Sequence, residues 1–447
     1  MPLLQIDRQL ARDSYYAATA PQGPAFAPLQ GTVEADVAIV GGGLAGLSAA
    51  LELSARGFSV ALLEAGEIGG GASGRNGGQA LAGLACEHGE IEHQLGLESA
   101  RRIWAMSLEA VDLIRQRCKA YAIDCDWQDG FLSVATSARK AASLQAWQQR
   151  MAEVYGYEQR WIPKNELPGW IASPRYQAGV HDPASGHLHP LKYCRALAHL
   201  LSDAARRPGT APVQLFEQSP ALALEQGTAA QTGITLRSSQ GQLRAKYLLL
   251  AGNVYLPELA PELAPQLAQR IMPVGTYIGC SAPIEAERLN ALIPSRSAVC
   301  DTNFVLDYFR PTADRRLLYG GRVSYSTRTP PDLKASMAAR MHATFPQLAD
   351  VGMEYAWGGF VDISMNRAPD FGRLGTAQNI YYLQGFSGHG LALTGLAGKL
   401  VAEAMAGDAS RFDCFATLRH RPFPGGTLMR MPALVLGMAY YRLKDLL

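Results

Sequence analysis

The sequence lacks the features that would direct the chain to a membrane, to nucleic acid or to an export pathway. No stretch reaches the roughly 18 consecutive apolar residues that a membrane span needs. Residues 1–16 contain no apolar core of the kind found in a signal peptide. Lys and Arg total 41 against 39 Asp and Glu, and no basic arm is present, so nucleic acid is not an expected partner. These absences predict a cytoplasmic protein.

The cysteines give no sign of a metal site or of a disulfide framework. Their number is odd, no two of them have the spacing of metal ligands, and they are scattered along the chain. We therefore predict reduced thiols and no bound metal. The seven cysteines are Cys86, Cys118, Cys125, Cys194, Cys280, Cys300 and Cys414.

What the sequence does contain is typical of a large globular protein with many tight turns, since 45 of its 447 residues are glycine and 48% are hydrophobic. A chain of this length favours two domains. Strand, glycine turn and helix alternate from residue 36 onward, whereas residues 261–354 carry β-branched and aromatic runs broken by Pro and Gly. The predicted fold is an α/β Rossmann-type domain interleaved with an α+β domain built on an antiparallel sheet.

The predicted division of the chain is discontinuous. Residues 1–30 are a surface arm; residues 31–85, 190–260 and 355–410 form the dinucleotide-binding domain; residues 86–189 and 261–354 form the substrate domain. Residues 411–447 are a C-terminal tail with an apolar run and several cations. The tail either docks on its own protein or makes peripheral membrane contact.

A glycine pattern near the N-terminus predicts a dinucleotide site. Gly41, Gly43 and Gly46 form G-x-G-x-x-G between a predicted strand and a predicted helix. The first glycine makes a tight turn, the second lets the backbone approach a pyrophosphate, and the third lets the helix pack on the strand. Leu44 and Ala45 begin the helix, so their N–H groups face the phosphates.

The residues that follow indicate FAD rather than NAD. Glu64 ends the next predicted strand, where a carboxylate can accept hydrogen bonds from a ribose, and Ala65 directly after it is a further candidate cofactor residue. A second glycine-rich stretch, residues 69–79, comes directly afterwards and lets the backbone pass close to a second planar group. Its side chains offer donors to phosphates and ring edges. The candidate cofactor residues in this stretch are Ser73, Arg75, Asn76, Gly77, Gly78 and Gln79.

Three motifs together resemble one family of flavoproteins. They are the first glycine pattern with Glu64, the stretch 72–78 (ASGRNGG) and the stretch 385–390 (GFSGHG). They are similar to those of the family that includes D-amino acid oxidase, glycine oxidase and sarcosine oxidase. Supporting segments extend over nearly the whole chain. The resemblance implies an FAD enzyme that oxidises a carbon–nitrogen bond in a small amine or amino acid.

The resemblance also implies further cofactor contacts. Ala221 corresponds to a backbone contact with the adenine, and Ala251 with Gly252 lies near the pyrophosphate. Gly385, Gly388, His389 and Gly390 lie by the flavin pyrimidine, where the helix that begins at Gly390 presents its positive N-terminus. For His389, a capping or packing role is the alternative.

The attachment of the flavin follows from two further absences. Some members of the family tether FAD through a Cys in the C-terminal half or a His in the N-terminal region. This chain has no Cys between Asp301 and Asp413 and no His between Met1 and Cys86. We therefore expect noncovalent FAD.

The resemblance places substrate-binding residues on a predicted hairpin. Arg310 matches the arginine that binds the substrate carboxylate in family members, and a guanidinium suits a carboxylate bidentately. Tyr308 lies on the same strand face. Arg322 departs from the family pattern and is either a second anchor or a residue that narrows the pocket. The alternative for Arg310 is an ion-paired or surface arginine.

Flavin oxidation of an amine needs positioning and exclusion of water rather than a nucleophilic triad. The resemblance favours a carboxylate-bearing substrate of the γ-glutamylputrescine type, which would be oxidised by hydride transfer to flavin N5 to give an imine or aldehyde. The alternative is a cyclic imino acid such as L-pipecolate. The electron acceptor is either O2 or a membrane quinone, and a noncatalytic flavoprotein is a remote alternative.

Overall fold

The structure is a computed structural model that describes residues 3–11, 13–226, 233–256, 265–303, 306–324 and 332–425. The predicted tail beyond residue 425 and the side chain of Arg322 lie outside the described part. The helices in chain order are α1 (Leu3–Leu10), α2 (Tyr15–Thr19), α3 (Leu44–Ala55), α4 (His88–Tyr121), α5 (Ala138–Tyr155), α6 (Pro190–Ser202), α7 (Pro265–Arg270), α8 (Ala286–Leu292), α9 (Leu333–Thr344), α10 (Gly390–Met405) and α11 (Ser410–Ala416).

The strands form two sheets. In chain order they are β1 (Gly31–Val40), β2 (Val60–Leu63), β3 (Gln79–Ala80), β4 (Gln128–Ala135), β5 (Arg160–Ile162), β6 (Ala178–His187), β7 (Val213–Phe216), β8 (Ala223–Gln226), β9 (Ile234–Arg237), β10 (Gly241–Leu250), β11 (Ile271–Ser281), β12 (Ala298–Asp301), β13 (Tyr308–Pro311), β14 (Leu317–Ser324), β15 (Met353–Ser364), β16 (Asp370–Leu374) and β17 (Ile380–Gln384).

The first sheet has the Rossmann-type arrangement that was predicted. Its order is β16-β17-β10-β1-β2-β7, and the strands from β17 to β7 are parallel. All four residues of β2 are buried and apolar. This is expected for a parallel strand that is covered on both faces of the sheet. One face packs on α3, α4, α6 and α10. The predicted mixed α/β architecture is confirmed.

Two helices of this domain touch through their backbones. A Cβ atom on Gly398 of α10 would lie 2.5 Å from the carbonyl oxygen of Ala45 on α3. The Ser48 hydroxyl also donates to the Gly395 carbonyl. Glycine at 398 therefore permits an approach that any larger residue would prevent.

The second sheet is mostly antiparallel, as predicted for the middle of the chain. Its order is β15-β11-β14-β13-β12-β4-β6-β3, with β5 on β6 and with β12 parallel to β4. The predicted hairpin is present, since β13 and β14 pair antiparallel from Tyr308↔Gly320 to Pro311↔Leu317.

The limits of the two domains differ from those predicted. Strands β3 and β15 belong to the second sheet although the sequence had placed residues 79–80 and 355–364 in the first domain. Helix α4, predicted in the substrate domain, packs into the core of the first sheet. The first thirty residues do not form a simple surface arm, because Tyr15 and Tyr16 of α2 are buried. No helix in the described ranges is both long and apolar enough to cross a bilayer.

Candidate active site

A cavity of about 680 Å³ lies between the two sheets. This volume is within the range of small-molecule sites. Thirteen of the predicted site residues line it: Gly43, Leu44, Ala45, Ser73, Arg75, Asn76, Gly77, Gln79, Ala251, Tyr308, Gly388, His389 and Gly390. The others whose side chains are described do not line it: Gly41, Gly46, Glu64, Ala65, Gly78, Ala221, Gly252, Gly385 and Arg310.

The glycine turn places the start of α3 at one end of the cavity. Gly41 has φ +113°, and a Cβ atom there would lie 2.5 Å from the Ala251 carbonyl oxygen. Gly43 is the N-cap and has no side chain of its own to cap the helix. The Leu44 N–H donates to the Ser73 hydroxyl at 3.0 Å. The helix N-terminus thus opens toward the cavity wall, as a phosphate site requires.

Glu64 ties this turn to the strand that follows. Its two carboxylate oxygens accept hydrogen bonds from the Gly42 and Gly66 N–H groups, each at 2.7 Å. Burial raises the pKa of this carboxyl, and the two backbone donors oppose that rise. Glu64 therefore shapes the cofactor turn, whatever contact it makes with a ribose.

The second glycine stretch is held by its own polar side chains. Asn76 donates to the carbonyls of Ala72 and Ser73, and its side-chain oxygen accepts from the Gly78 N–H at 2.8 Å. Arg75 forms an ion pair with Asp7 of α1 at 2.5 Å, with side chains only 10% and 2% exposed. The expectation that Arg75 offers its donors to phosphates is corrected, because its guanidinium is engaged by a helix from the N-terminal segment.

Arg310 does not reach the cavity. Its guanidinium is buried and donates to the carbonyls of Gly77 and Leu188 and to the Tyr16 hydroxyl, at 2.8–3.0 Å. This geometry corrects the expectation that Arg310 holds the substrate carboxylate, because its donors serve the protein instead. Its neighbour Tyr308 does line the cavity, and a Cβ atom on Gly77 would lie 2.5 Å from the Tyr308 ring.

The opposite end of the cavity is formed by the turn before α10. Asp362 of β15 accepts hydrogen bonds from the N–H groups of Gly385 and Phe386 through one carboxylate oxygen, at 2.5 and 3.3 Å. Burial raises the pKa of Asp362 to about 6. Gly388 has φ +84°, which favours glycine. Asp362 thereby fixes the turn that presents the N-terminus of α10.

His389 is the N-cap residue of α10 and does not cap it with its side chain. The Ala82 carbonyl accepts a hydrogen bond from His389 Nε2 at 3.2 Å. Burial lowers the pKa of this histidine, and the positive charge of Arg367 lowers it further. A neutral His389 in the cavity wall fits a role beside a cofactor, and its hydrogen bond to Ala82 also fits the packing alternative.

Several residues of the cavity wall were not predicted from the sequence. Alternate residues of β11 face the cavity, namely Met272, Val274, Thr276 and Ile278. Period-two alternation was the available signal. Asp362 and Arg367 also belong to the wall, and the signal for Asp362 was an acid placed between the apolar residues Val361 and Ile363. Within the described residues, no cluster of His, Cys, Asp and Glu could hold a metal ion.

The chain matches a family profile described as FAD dependent oxidoreductase (DAO) over residues 36–404. The chain belongs to this family. It is 42% identical to the gamma-glutamylputrescine oxidoreductase of Escherichia coli strain K12, over 97% of this chain and 98% of that protein. It is also 37% identical to the probable oxidoreductase OrdL of Haemophilus influenzae, over 97% of each chain.

A solved structure of a DAO-family fold supports the architecture. The crystal structure of glycine oxidase from Geobacillus kaustophilus superposes with a TM-score of 0.71 at 20% identity, covering 87% of this chain and all of that one. At this identity the likeness concerns the fold alone. This chain is thus an FAD-dependent oxidoreductase with the fold of the DAO family.

The residues present fit FAD. The cavity runs from the start of α3, past the glycine stretch 72–79, to the turn before α10. Two helix N-termini therefore face one elongated space, and each favours a group that carries negative charge. The glycines allow backbone contact along its length.

We expect Glu64→Ala to weaken FAD retention and to lower the thermal stability of the flavin-free protein. The change leaves two buried N–H groups without their acceptor, at a cost of about 1–3 kcal/mol each. Glu67→Ala, an exposed acid in the same segment, is the matched control. Flavin titration measures the FAD affinity, and thermal unfolding measures the stability of the flavin-free protein. The same affinity and the same unfolding temperature in both variants would contradict the prediction.

Asp362→Asn should change how stability depends on pH. Asn can still accept both N–H groups through one oxygen, so the turn is kept. The folded-state pKa of Asp362 lies above the value of an unfolded aspartate, so its contribution is present at low pH and is lost as pH rises through about 6. Relative to the variant, the parent should lose about 2 kcal/mol between pH 4 and 7. Denaturant unfolding at several pH values tests this, and a constant difference would contradict it.

Proposed function

We propose that the protein oxidises the carbon–nitrogen bond of a small amine that carries a carboxylate, with a γ-glutamylputrescine-type substrate favoured. The observation that carries the proposal is the 42% identity, over 97% of this chain, to a gamma-glutamylputrescine oxidoreductase. The FAD would be noncovalent, since this chain has no Cys between Asp301 and Asp413 and no His between Met1 and Cys86, the regions in which some family members attach the flavin. The product would be an aldehyde, with release of ammonia after hydrolysis of the imine.

The wall of the cavity supports this class of substrate. Bound FAD supplies the two-electron oxidant. The alternate side chains of β11 form a largely apolar floor of the cavity. The methylene groups of a substrate can lie against this floor. Such a floor excludes water and orients the C–H bond that reacts. The side chains of Tyr308 and Ile278 continue the wall on the side of the glycine stretch.

The carboxylate needs a cation, because an unpaired anion in a water-poor pocket loses its hydration without compensation. Among the described wall residues the cations are Arg75 and Arg367. Both arginines interact with other protein groups, Arg75 with Asp7, so the choice between them rests on position. Arg367 follows β15 and lies close enough to His389 to lower the pKa of that histidine. We propose Arg367 as the carboxylate anchor in place of Arg310.

Oxidation of L-pipecolate and delivery of electrons to a quinone are the alternatives. No observation on the described residues favours either of them. The part of the tail beyond residue 425 lies outside the described residues, so the membrane contact has no structural support.

The purified protein should oxidise γ-glutamylputrescine in air with release of one peroxide per aldehyde formed. Peroxide and aldehyde are measured together, and γ-glutamyl compounds without a free amine serve as the control. Bleaching of the flavin by the substrate without peroxide would indicate an acceptor other than O2. No bleaching by γ-glutamylputrescine, with bleaching by pipecolate, would replace the proposed substrate.

Arg367→Met should raise the KM for carboxylate-bearing substrates by roughly 30-fold or more, since loss of a buried charge partner costs about 2–5 kcal/mol. An amine that lacks the carboxylate should be affected much less. Arg310→Met is the comparison variant: we expect it to lower the unfolding temperature and to leave the ratio between the two substrates unchanged. Equal losses for both substrates in Arg367→Met would show that Arg367 is not the anchor.

A further inference from the structure

The C-terminal segment after α11 contributes a side chain to the cavity. Phe423 is 9% exposed and lines the cavity wall. It lies beyond residue 404, where the match to the family profile ends. The family profile therefore gives no information about this part of the wall.

The backbone of this segment is fixed at three points. The Asn366 side chain donates to the Arg419 carbonyl at 3.1 Å, and the Arg419 N–H donates to Gln94 Oε1 at 2.8 Å. The Phe423 N–H donates to the Gln269 carbonyl at 2.9 Å. Proline on both sides of Phe423 restricts the backbone further. The position of the ring thus follows from contacts with the turn after β15, with α4 and with α7.

Phe423 completes an apolar cluster at the start of β11. Met272 and Val274 pack against it, together with the partly buried Val361 and Ile363 of β15. The strand register explains the grouping, since Met272 pairs with Ile363 and Val274 with Val361. All five side chains line the cavity. The cluster therefore closes one end of the apolar floor formed by β11.

We propose that Phe423 is a specificity-determining residue that limits the length of the aliphatic chain accepted by the cavity. The proposal rests on the proposed function, because it assumes an amine substrate whose methylene chain lies along β11. A phenyl ring at the end of an apolar slot admits a chain up to the ring and excludes additional methylenes by overlap. The ring lies beyond the residues that the family profile matches.

Replacement of the ring should shift chain-length preference. One methylene in a hydrophobic pocket changes kcat/KM by about tenfold or more. We expect Phe423→Ala to raise the ratio of kcat/KM for longer over shorter γ-glutamyl diamines by about tenfold, and Phe423→Trp to lower it. Arg421→Ala changes an exposed residue of the same segment and should leave the ratio unchanged.

A binding measurement separates this proposal from the proposed function. Straight-chain carboxylates of increasing length are titrated into the holoenzyme, and the dissociation constant of each is read from the change in flavin absorbance. Phe423→Ala should move the tightest-binding length upward. If the parent oxidises no γ-glutamyl diamine, the proposed function fails while this series still tests Phe423.

A structural role gives a different result. The proposal is overturned if Phe423→Ala weakens the binding of carboxylates of every length by the same factor. It is also overturned if the preferred length is unchanged both in carboxylate binding and in diamine oxidation. Phe423→Leu, which keeps apolar volume, guards against a folding defect: it should retain the unfolding temperature of the parent and show an intermediate shift. If Phe423→Leu and Phe423→Trp both fold well and both keep the preferred length of the parent, the proposal is overturned as well.

Discussion

A buried guanidinium holds the second sheet against the cofactor loop, and the cavity depends on it. The donors of Arg310 on β13 reach the Gly77 carbonyl in the glycine stretch, the Leu188 carbonyl after β6 and the Tyr16 hydroxyl on α2. Within the part of the chain that the structure describes, no ion pair neutralises it. In the described ranges, this buried charge is stabilised only by neutral hydrogen-bond acceptors. Loss of any one acceptor would destabilise the fold, because part of the charge would then lie unsolvated in the interior. The three segments are therefore held in fixed positions.

The same region shows how charge is distributed around the cavity. Asp7 neutralises Arg75 at the middle of the wall, and Asp362 holds the turn at the start of α10. The helix N-termini of α3 and α10 supply positive potential at the two ends. The wall between them is largely apolar. Arg75 and Asp362 are thus engaged by other protein groups, and the apolar surface between the two ends is left for a ligand.

Local patterns allowed much of this to be predicted. The turn from β1 to α3 and the start of α10 at Gly390 are encoded by glycine spacing and helical periodicity within a few residues. The role of Arg310 could not be predicted, because the direction of a long side chain depends on which segments pack around it. The family likeness placed it correctly on the hairpin strand but not at the cavity. Phe423 was missed for a similar reason, since a short irregular segment has no periodicity.

The backbone contact between α3 and α10 has a consequence for how such an enzyme can diversify. With Gly398 against Ala45, the spacing of the two helix N-termini is set by main chains and not by side chains. Substitutions on β11, β15 or the C-terminal segment can then reshape the substrate space without altering the separation of the cofactor's two contact points. The position of the cofactor and the range of substrates therefore depend on different residues. A change of substrate during evolution would not require the cofactor to move.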